Sequence, residues 1–89
     1  MADPARAELH GALEFAMRRT ALARSDSSRA AETISLHVAF MREVDGALDI
    51  RARVTGGGRS ICFCEAEAVD GGGATVAQAM GTFRLREPA

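Results

Sequence analysis

The feature that most constrains the fold of this 89-residue chain is its second half, where four strand-like segments follow one helical segment. The first two segments, Thr33–Met41 and Leu48–Thr55, alternate apolar and polar side chains as half-buried strands do. Turn-forming spacers separate the four segments: Asp45-Gly46, Gly56-Gly57-Gly58 and Asp70-Gly71-Gly72-Gly73. Each spacer is too short for a parallel crossover. The pattern therefore predicts an antiparallel meander of four strands.

One helix of about 20 residues is predicted in front of these strands. Asp3-Pro4 is typical of a helix start, because Asp caps free backbone amides and Pro fits the first helical position. Apolar or small side chains then recur at three- and four-residue spacing and predict one buried stripe: Leu9, Leu13, Ala16, Met17 and Thr20. The pattern fades near Arg24, before a polar connector at Ser25-Asp26-Ser27-Ser28.

Alternation along the strands predicts which side chains share a face. On the first strand one face carries Ile34, Leu36, Val38 and Phe40, and the other carries Thr33, Ser35, His37 and Ala39. The third and fourth strands each have a face of small residues: Cys62, Cys64, Ala66 and Ala68, then Ala77, Ala79 and Gly81. Small side chains on neighbouring strands leave room for a helix to pack close to the sheet.

The opposite faces of the last two strands carry larger apolar residues: Ile61, Phe63, Val76 and Met80. A lone domain would expose these four to water, which predicts a partner surface and self-association as a dimer or tetramer. The alternative interpretation is scattered surface apolar residues, which are common.

Composition narrows the classes of function. The formal net charge of −1 gives no electrostatic basis for binding nucleic acid. All eleven basic residues are Arg, so Schiff-base and P-loop chemistry, which need Lys, are excluded. No apolar run approaches the roughly 20 residues of a transmembrane helix, and the N-terminus lacks the layout of a signal peptide. We therefore expect a cytoplasmic protein without a membrane partner.

Two further motifs indicate no metal or cofactor site. Cys62 and Cys64 lie side by side on one strand face and are predicted to be buried apolar thiols, too few to bind a metal without further ligands. The segment Gly56-Gly57-Gly58-Arg59 joins strand to strand and opens no helix, so it does not fit a phosphate-binding loop.

Part of this pattern resembles a known family. The matching positions are Thr33, Leu36, Phe40-Met41-Arg42, Gly58-Arg59, Asp70-Gly71, Val76-Ala77, Ala79 and Gly81-Thr82-Phe83. They resemble the hotdog-fold thioesterases of the phenylacetate-degradation type. The resemblance covers about residues 10–85 and misses the front of the family domain, which makes this chain N-terminally shortened against it. It implies an α+β hotdog-like fold, one central helix packed on a four-stranded antiparallel sheet, as a single domain over residues 1–89.

The resemblance also implies acyl-CoA chemistry and a set of site residues. His10-Gly11 resembles the His-Gly segment before the family's helix, where a free amide polarises the thioester carbonyl. The same register places Arg19 at the family's acid, and a cation cannot serve as a base. Glu14, the nearest acid that can face inward, is then the candidate catalytic residue. Gly58-Arg59 resembles a segment near the CoA path, where an Arg can pair with a phosphate.

Two hypotheses about function remain open. The first is hydrolysis of an acyl-CoA thioester by a carboxylate-activated water at a dimer interface. The second is a non-catalytic hotdog module that binds an acyl thioester or a protein partner. A helix that starts at Pro4 favours the second, because the amide of Gly11 is then bonded inside the helix. Surface roles for Glu14 and Arg59 are the simpler alternatives to site roles.

Overall fold

A computed structural model describes residues 4–24 and 30–87, which form one helix and four strands. Their bounds are α1 (Pro4–Arg24), β1 (Ala30–Phe40), β2 (Asp49–Gly57), β3 (Ile61–Val69) and β4 (Thr75–Arg86). The predicted α+β class is confirmed, and so is the predicted helix of about 20 residues, which has 21 residues and begins at Pro4. The Asp3 cap and the Ser25–Ser28 connector fall outside the described residues. Within the described ranges, no helix is long and apolar enough to cross a membrane.

The four strands pair antiparallel in the order β1-β4-β3-β2. The last three strands form the predicted meander, but β1 pairs with β4 and not with β2, so the meander prediction is wrong for the first strand. The eight residues 41–48 carry the chain between the two sheet edges. They can reach about 26 Å, whereas three strand spacings need only about 14 Å. The link is therefore long enough for the 11-residue β1 to pair with the 12-residue β4 at the far side of the sheet from β2.

The core lies between α1 and the two central strands. Four helical residues at strict i, i+4 spacing are buried: Leu9, Leu13, Met17 and Ala21. They lie over the small side chains of β3 and β4, as predicted, and there is little room for a side chain at Gly81. A Cβ at Gly81 would lie 2.7 Å from the ring of Phe83 and 3.4 Å from the Met17 methyl group. The buried stripe is narrower than predicted, because Ala16 and Thr20 are only half-buried.

Register shifts in two strand pairings overturn two predicted side-chain directions. The pairing of β1 with β4 skips Ile34, which leaves that side chain 45 % exposed and brings Thr33 to the helix side. The pairing of β3 with β4 shifts next to Val76, which is buried at 2 % exposure. A β-bulge inserts one residue without a partner and so changes the alternation of faces. Val76 therefore belongs to the core and not to the predicted partner surface.

Candidate active site on the helix

The candidate base Glu14 is fixed by contacts with β1 and with its own helix. The Thr33 hydroxyl donates to Glu14 Oε2 across 2.8 Å, and Arg18 Nη2 lies 3.2 Å from the same oxygen. The Glu14 side chain is 28 % exposed, so the carboxylate is partly buried and still reaches solvent. Among the described residues, no hydrogen bond ends on Oε1. This arrangement leaves one carboxylate oxygen available to a water molecule or a ligand.

Arg18 completes a three-residue polar cluster of Glu14, Arg18 and Thr33. Its Nη2 also donates to Thr33 Oγ1 across 3.3 Å. Its Nε is buried and has no hydrogen-bond partner in the part of the chain that the structure describes. A buried donor without a partner costs about 1–3 kcal/mol. Arg18 is therefore not fully satisfied by the groups around it.

His10 and Gly11 lie on the exposed surface of α1, well inside the helix. At the eighth position of a helix that starts at Pro4, the Gly11 amide bonds to the carbonyl of residue 7. It does not have the free helix-start amide that the family resemblance implies. No atom of the described residues lies within 4 Å of a Cβ placed at Gly11, so close packing does not require glycine there.

Arg19, at the position of the family's acid, lies on the other flank of the helix from Glu14. Five residues at 3.6 per turn separate the two side chains by about 140° around the axis. The Arg19 guanidinium lies 5.7 Å from the centre of the Phe15 ring, and Arg19 also lines a groove with Ile50 and Ala52 of β2. The position where the family has its acid is therefore occupied by a cation in this chain.

Gly58 and Arg59 lie in the exposed turn between β2 and β3. The Gly58 amide donates to the Ile61 carbonyl across 2.8 Å, which closes the turn. The residue that must be glycine is its neighbour: Gly57 has φ of 118°, and a Cβ there would collide with the carbonyl of Ile61. Gly58 thus has a role in the hairpin, and its amide is already occupied.

The predicted site residues do not meet within one chain. Arg24, at the end of α1, donates to the Gly56 carbonyl across 3.1 Å and so places the helix end beside the β2–β3 turn. His10 is 14 residues earlier, about 21 Å along the helix axis. Its end of the helix lies near the 41–48 link, where Leu9 and Ala12 share a groove with Val44 and Leu48. His10-Gly11 and Gly58-Arg59 are therefore at opposite ends of the helix.

Thr33 is the functional candidate that sequence alternation missed. The pattern assigned it to the face that carries Ser35 and His37, whereas the bulge at Ile34 brings its hydroxyl to Glu14. A bulge of this kind leaves no clear mark in an apolar–polar pattern, because one skipped residue changes which side chains share a face. The position of Thr33 among the family-matching residues was the only available signal.

The two cysteines are buried, as predicted, and both are free thiols. Their sulfurs are 3.9 Å apart, and Arg24 Nη1 lies 3.7 Å from Cys62 Sγ. Burial, and then the neighbouring Cys62, raise the pKa of the Cys64 thiol to about 12. A thiol that stays protonated is a poor nucleophile and a poor metal ligand. Within residues 4–24 and 30–87, no group of three or more His, Cys, Asp or Glu side chains could hold a metal ion.

The sheet face away from the helix carries a shallow groove of about 480 Å³. Phe63 and Met80 lie beside it and are 45 % and 60 % exposed. Ile61 is half-buried, and Val76 is in the core, so two of the four predicted surface residues are clearly exposed. Outside the groove, ion pairs join β2 to β3, including Arg53 to Glu65 at 3.0 Å.

The helix packed on an antiparallel sheet, with the core between them, defines a hotdog-like domain. The family model of the acyl-CoA thioesterase N-terminal domain matches residues 3–84 of this chain. The chain belongs to that family, and its fold is the hotdog thioesterase fold. The phenylacetate-degradation subtype is not specified by this match.

Solved structures of similar fold agree with this assignment. A Bacillus halodurans protein crystallised with CoA superposes with a TM-score of 0.80 at 22 % identity, over 85 % of this chain and 54 % of its own. A protein from the thioesterase superfamily gives a TM-score of 0.79 at 20 % identity, over 90 % of this chain and 60 % of its own. The chain thus spans only a little over half the length of these structures. Comparison with curated proteins gave no match.

Proposed function

We propose that this domain hydrolyses an acyl-CoA thioester, with Glu14 as the base that activates water. The observation that carries this proposal is the carboxylate of Glu14, which is partly buried, held at Oε2 and open at Oε1. A general base must reach the proton that it abstracts and must be held in a productive position. Glu8, the other acidic residue of α1, is exposed and has no comparable contact among the described residues.

The substrate class follows from family membership and from the CoA in one similar structure. His10 and Gly11 are the proposed contacts for the thioester end, and Gly58 and Arg59 are the proposed contacts for CoA. The resemblance to the phenylacetate-degradation type favours this division of roles. Because these two pairs lie near opposite ends of a helix whose residues His10 and Arg24 are about 21 Å apart along the axis, we propose that two subunits contribute to each site. Cytoplasm remains the expected compartment.

A steady-state assay of free CoA thiol, across short, long and aromatic acyl-CoAs, tests whether Glu14 is the general base. The variant Glu14→Gln keeps the shape of the side chain and removes its charge, so it should lower kcat by about 10²–10⁴-fold. Loss of the partly buried Glu14–Arg18 ion pair should cost about 1 kcal/mol of unfolding free energy. Wild-type turnover that survives Glu14→Gln unchanged would rule out Glu14 as the base.

Glu8→Gln is the matched control, since it makes the same chemical change on the same helix at an exposed position. It should leave both kcat and stability unchanged, within about 0.5 kcal/mol for the latter. If both variants lost activity equally, the helix charge and not the Glu14 carboxylate would be responsible.

A second candidate function is a non-catalytic module that binds an acyl thioester or a protein. The position of Gly11 inside the helix favours it, because that amide is not free to polarise a carbonyl. Calorimetric titration with a non-hydrolysable thioether analogue of acyl-CoA separates the two functions. Binding without turnover of the matching thioester would support the module, whereas turnover that depends on Glu14 would support the enzyme.

The two-subunit site requires self-association, which the exposed Phe63 and Met80 favour. Sedimentation at micromolar concentration should give at least twice the 9.4 kDa mass of one chain. Phe63→Ser should shift the protein toward monomer, while Phe15→Ser, at an exposed helix position, should not. A wild-type protein that stays at 9.4 kDa would rule out the two-subunit site.

A further inference from the structure

We infer that Arg18 is a second catalytic residue of this site: its guanidinium donates to the thioester carbonyl oxygen and stabilises the negative charge that forms there. This inference rests on the proposed hydrolysis with Glu14 as the base. The observations behind it are the 3.2 Å contact between Arg18 Nη2 and Glu14 Oε2, the unpaired Nε of the guanidinium and the position of Gly11 inside the helix.

Hydrolysis of a thioester needs a hydrogen-bond donor as well as a base. When the water oxygen bonds to the carbonyl carbon, Glu14 takes the water proton, and an electron pair of the C=O bond moves to the carbonyl oxygen. When the C–S bond then breaks, its electron pair leaves with the sulfur. The sulfur takes the proton from Glu14, which gives a carboxylic acid and free CoA. The oxyanion between these two steps is stabilised by donors that already point at it.

The other donors near Glu14 are in use or are not fixed. The Gly11 amide bonds to the carbonyl of residue 7 inside α1. The Thr33 hydroxyl has a single proton, which it donates to Glu14 Oε2 across 2.8 Å. The His10 ring is exposed, and no contact among the described residues holds it in place. Arg18 is held by two contacts and is therefore the better preorganised donor.

The Arg18 guanidinium has N–H groups to spare. It carries five in all, and its Nη2 serves both contacts, with Glu14 Oε2 at 3.2 Å and with Thr33 Oγ1 at 3.3 Å. Nε is buried without a partner, and Nη1 has no contact in the part of the chain that the structure describes. Because Nε is buried while the side chain as a whole is 40 % exposed, we assign the contact with the carbonyl oxygen to Nη1.

The helix places this donor beside the base. Glu14 and Arg18 are four residues apart, about 6 Å along the axis, and so lie on one face of α1. Their contact uses Nη2 and Oε2, which leaves Nη1 and Oε1 without a partner among the described residues. A water on Oε1 and a carbonyl oxygen on Nη1 would then be adjacent, as attack of that water on the carbonyl requires.

Chemical rescue in the CoA-release assay tests this role. Arg18→Ala should lower kcat by about 10²- to 10³-fold, as removal of one oxyanion donor does, and leave KM within about twofold. Free guanidinium, well below the concentrations that unfold proteins, should restore part of the lost activity. Urea, which has the same planar shape and no charge, should not. Arg19→Ala is the matched control, because it removes the same side chain from the other flank of α1. It should leave kcat unchanged.

Infrared difference spectroscopy separates polarisation of the carbonyl from an indirect effect through Glu14. The probe is a non-hydrolysable ketone analogue of acyl-CoA with an isotope-labelled carbonyl. Its carbonyl stretch should lie at lower wavenumber on the wild type than on Arg18→Ala, because a donor on the oxygen weakens the C=O bond. Glu14→Gln should keep most of that shift. An equal stretch on the wild type and on Arg18→Ala would overturn the inference.

Kinetic results can overturn it as well. Full kcat in Arg18→Ala would do so, and a raised KM with unchanged kcat would show that Arg18 only binds the substrate. Rescue by urea as strong as by guanidinium would also contradict it. Any of these results beside an inactive Glu14→Gln would leave Glu14 as the base, so the proposed function would stand. Absence of turnover in the wild type would overturn the inference and the proposed function together.

Discussion

The two flanks of α1 meet the sheet in different ways. On the β1 flank, polar side chains bridge the two elements, as Thr33 does to Glu14 at 2.8 Å. Near the same edge, the Arg6 guanidinium lies 4.9 Å from the centre of the Phe40 ring. On the β2 flank, Ala16 and Ala23 of the helix share an open groove of about 310 Å³ with small or half-buried residues of β2. The β2 flank is joined to the helix at its end, where Arg24 Nη1 donates to the Gly56 carbonyl across 3.1 Å, and the groove precedes that contact along the helix.

The difference follows from which side chains reach the neighbouring strand. Glu14 and Arg18 reach Thr33 of β1. On the other side the alanine methyl groups are too short to reach β2, and the Arg19 guanidinium lies over the Phe15 ring. Ile50 and Ala52 of the edge strand β2 are half-buried, as are Leu36 and Val38 of the other edge strand, β1. Ala66 and Ala68 of the central β3 are buried. The comparison teaches that polar side chains join the helix to both edge strands, to β1 near its middle and to β2 at its end, and that the carboxylate with an open oxygen lies on the β1 flank.

The largest expected effect tests whether the buried row of α1 (Leu9, Leu13, Met17 and Ala21) holds the helix to the sheet. Met17 is fully buried at the middle of the helix. Met17→Ala should lower the free energy of unfolding by about 2–5 kcal/mol, through lost burial and the cavity left behind. Urea unfolding monitored by circular dichroism measures this. Met80→Ala, at a 60 % exposed position, is the matched control and should change stability by less than about 0.5 kcal/mol.

A small effect of Met17→Ala would contradict this expectation. It would mean that contacts on the two flanks, and not the buried row, hold the helix to the sheet. Measurements of Met80→Ala should be made at a concentration where the oligomeric state is unchanged, since Met80 lies on the proposed subunit surface.

A matched pair of substitutions tests the open flank directly. Ala21 is fully buried, so Ala21→Leu should overpack the core and cost about 1–3 kcal/mol. Ala16 lines the groove toward β2, so Ala16→Leu should be accommodated within about 0.5 kcal/mol. Ala and Leu are both strong helix formers, so helix propensity contributes little to the difference. Equal costs at the two positions, in the same unfolding assay, would show that the β2 flank is not open.

Much of the fold could be predicted from the sequence, because the helix and strands have strong local patterns. The i, i+4 row of α1, the glycine-rich hairpins and the small side chains under the helix are all visible in the sequence, and the structure has them. Pairing of β1 with β4 could not be predicted in this way. Both β2 and β4 are antiparallel to β1, and alternation does not say which of them is its neighbour.

The candidate site was harder to predict for a related reason. Glu14 was found from its helix position, but Thr33 depended on a bulge that shifts the register by one residue. The same kind of shift moved Val76 from the predicted surface to the core. Family resemblance identified Arg19 at the acid position, and helix periodicity alone separates it from Glu14 by about 140°. Which of the two residues lies toward β1 and which toward β2 could not be predicted, because that depends on how the helix faces the sheet.

The last prediction concerns the middle of the helix, where the Cys64 thiol lies 3.7 Å from the Met17 carbonyl. Burial and the neighbouring Cys62 raise the pKa of Cys64 to about 12 in the folded state. An unfolded thiol ionises near pH 8.5. Between these values the unfolded state loses the proton first, so the stability that is present below about pH 8.5 should fall as pH rises. The slope for one such group is at most about 1.4 kcal/mol per pH unit.

This chain suits the measurement, because it has no Tyr and its eleven basic residues are all Arg. No other type of side chain titrates between about pH 8.5 and 12. Urea midpoints of the reduced protein, taken at about pH 8 and pH 10.5, should therefore decrease in the wild type and change less in Cys64→Ala. An equal decrease in Cys64→Ala would place the alkaline sensitivity elsewhere. A shallower slope in Cys64→Ala would show that the Cys64 thiol is buried and protonated beneath the middle of the helix, in contrast to the Glu14 carboxylate of the β1 flank, which reaches solvent.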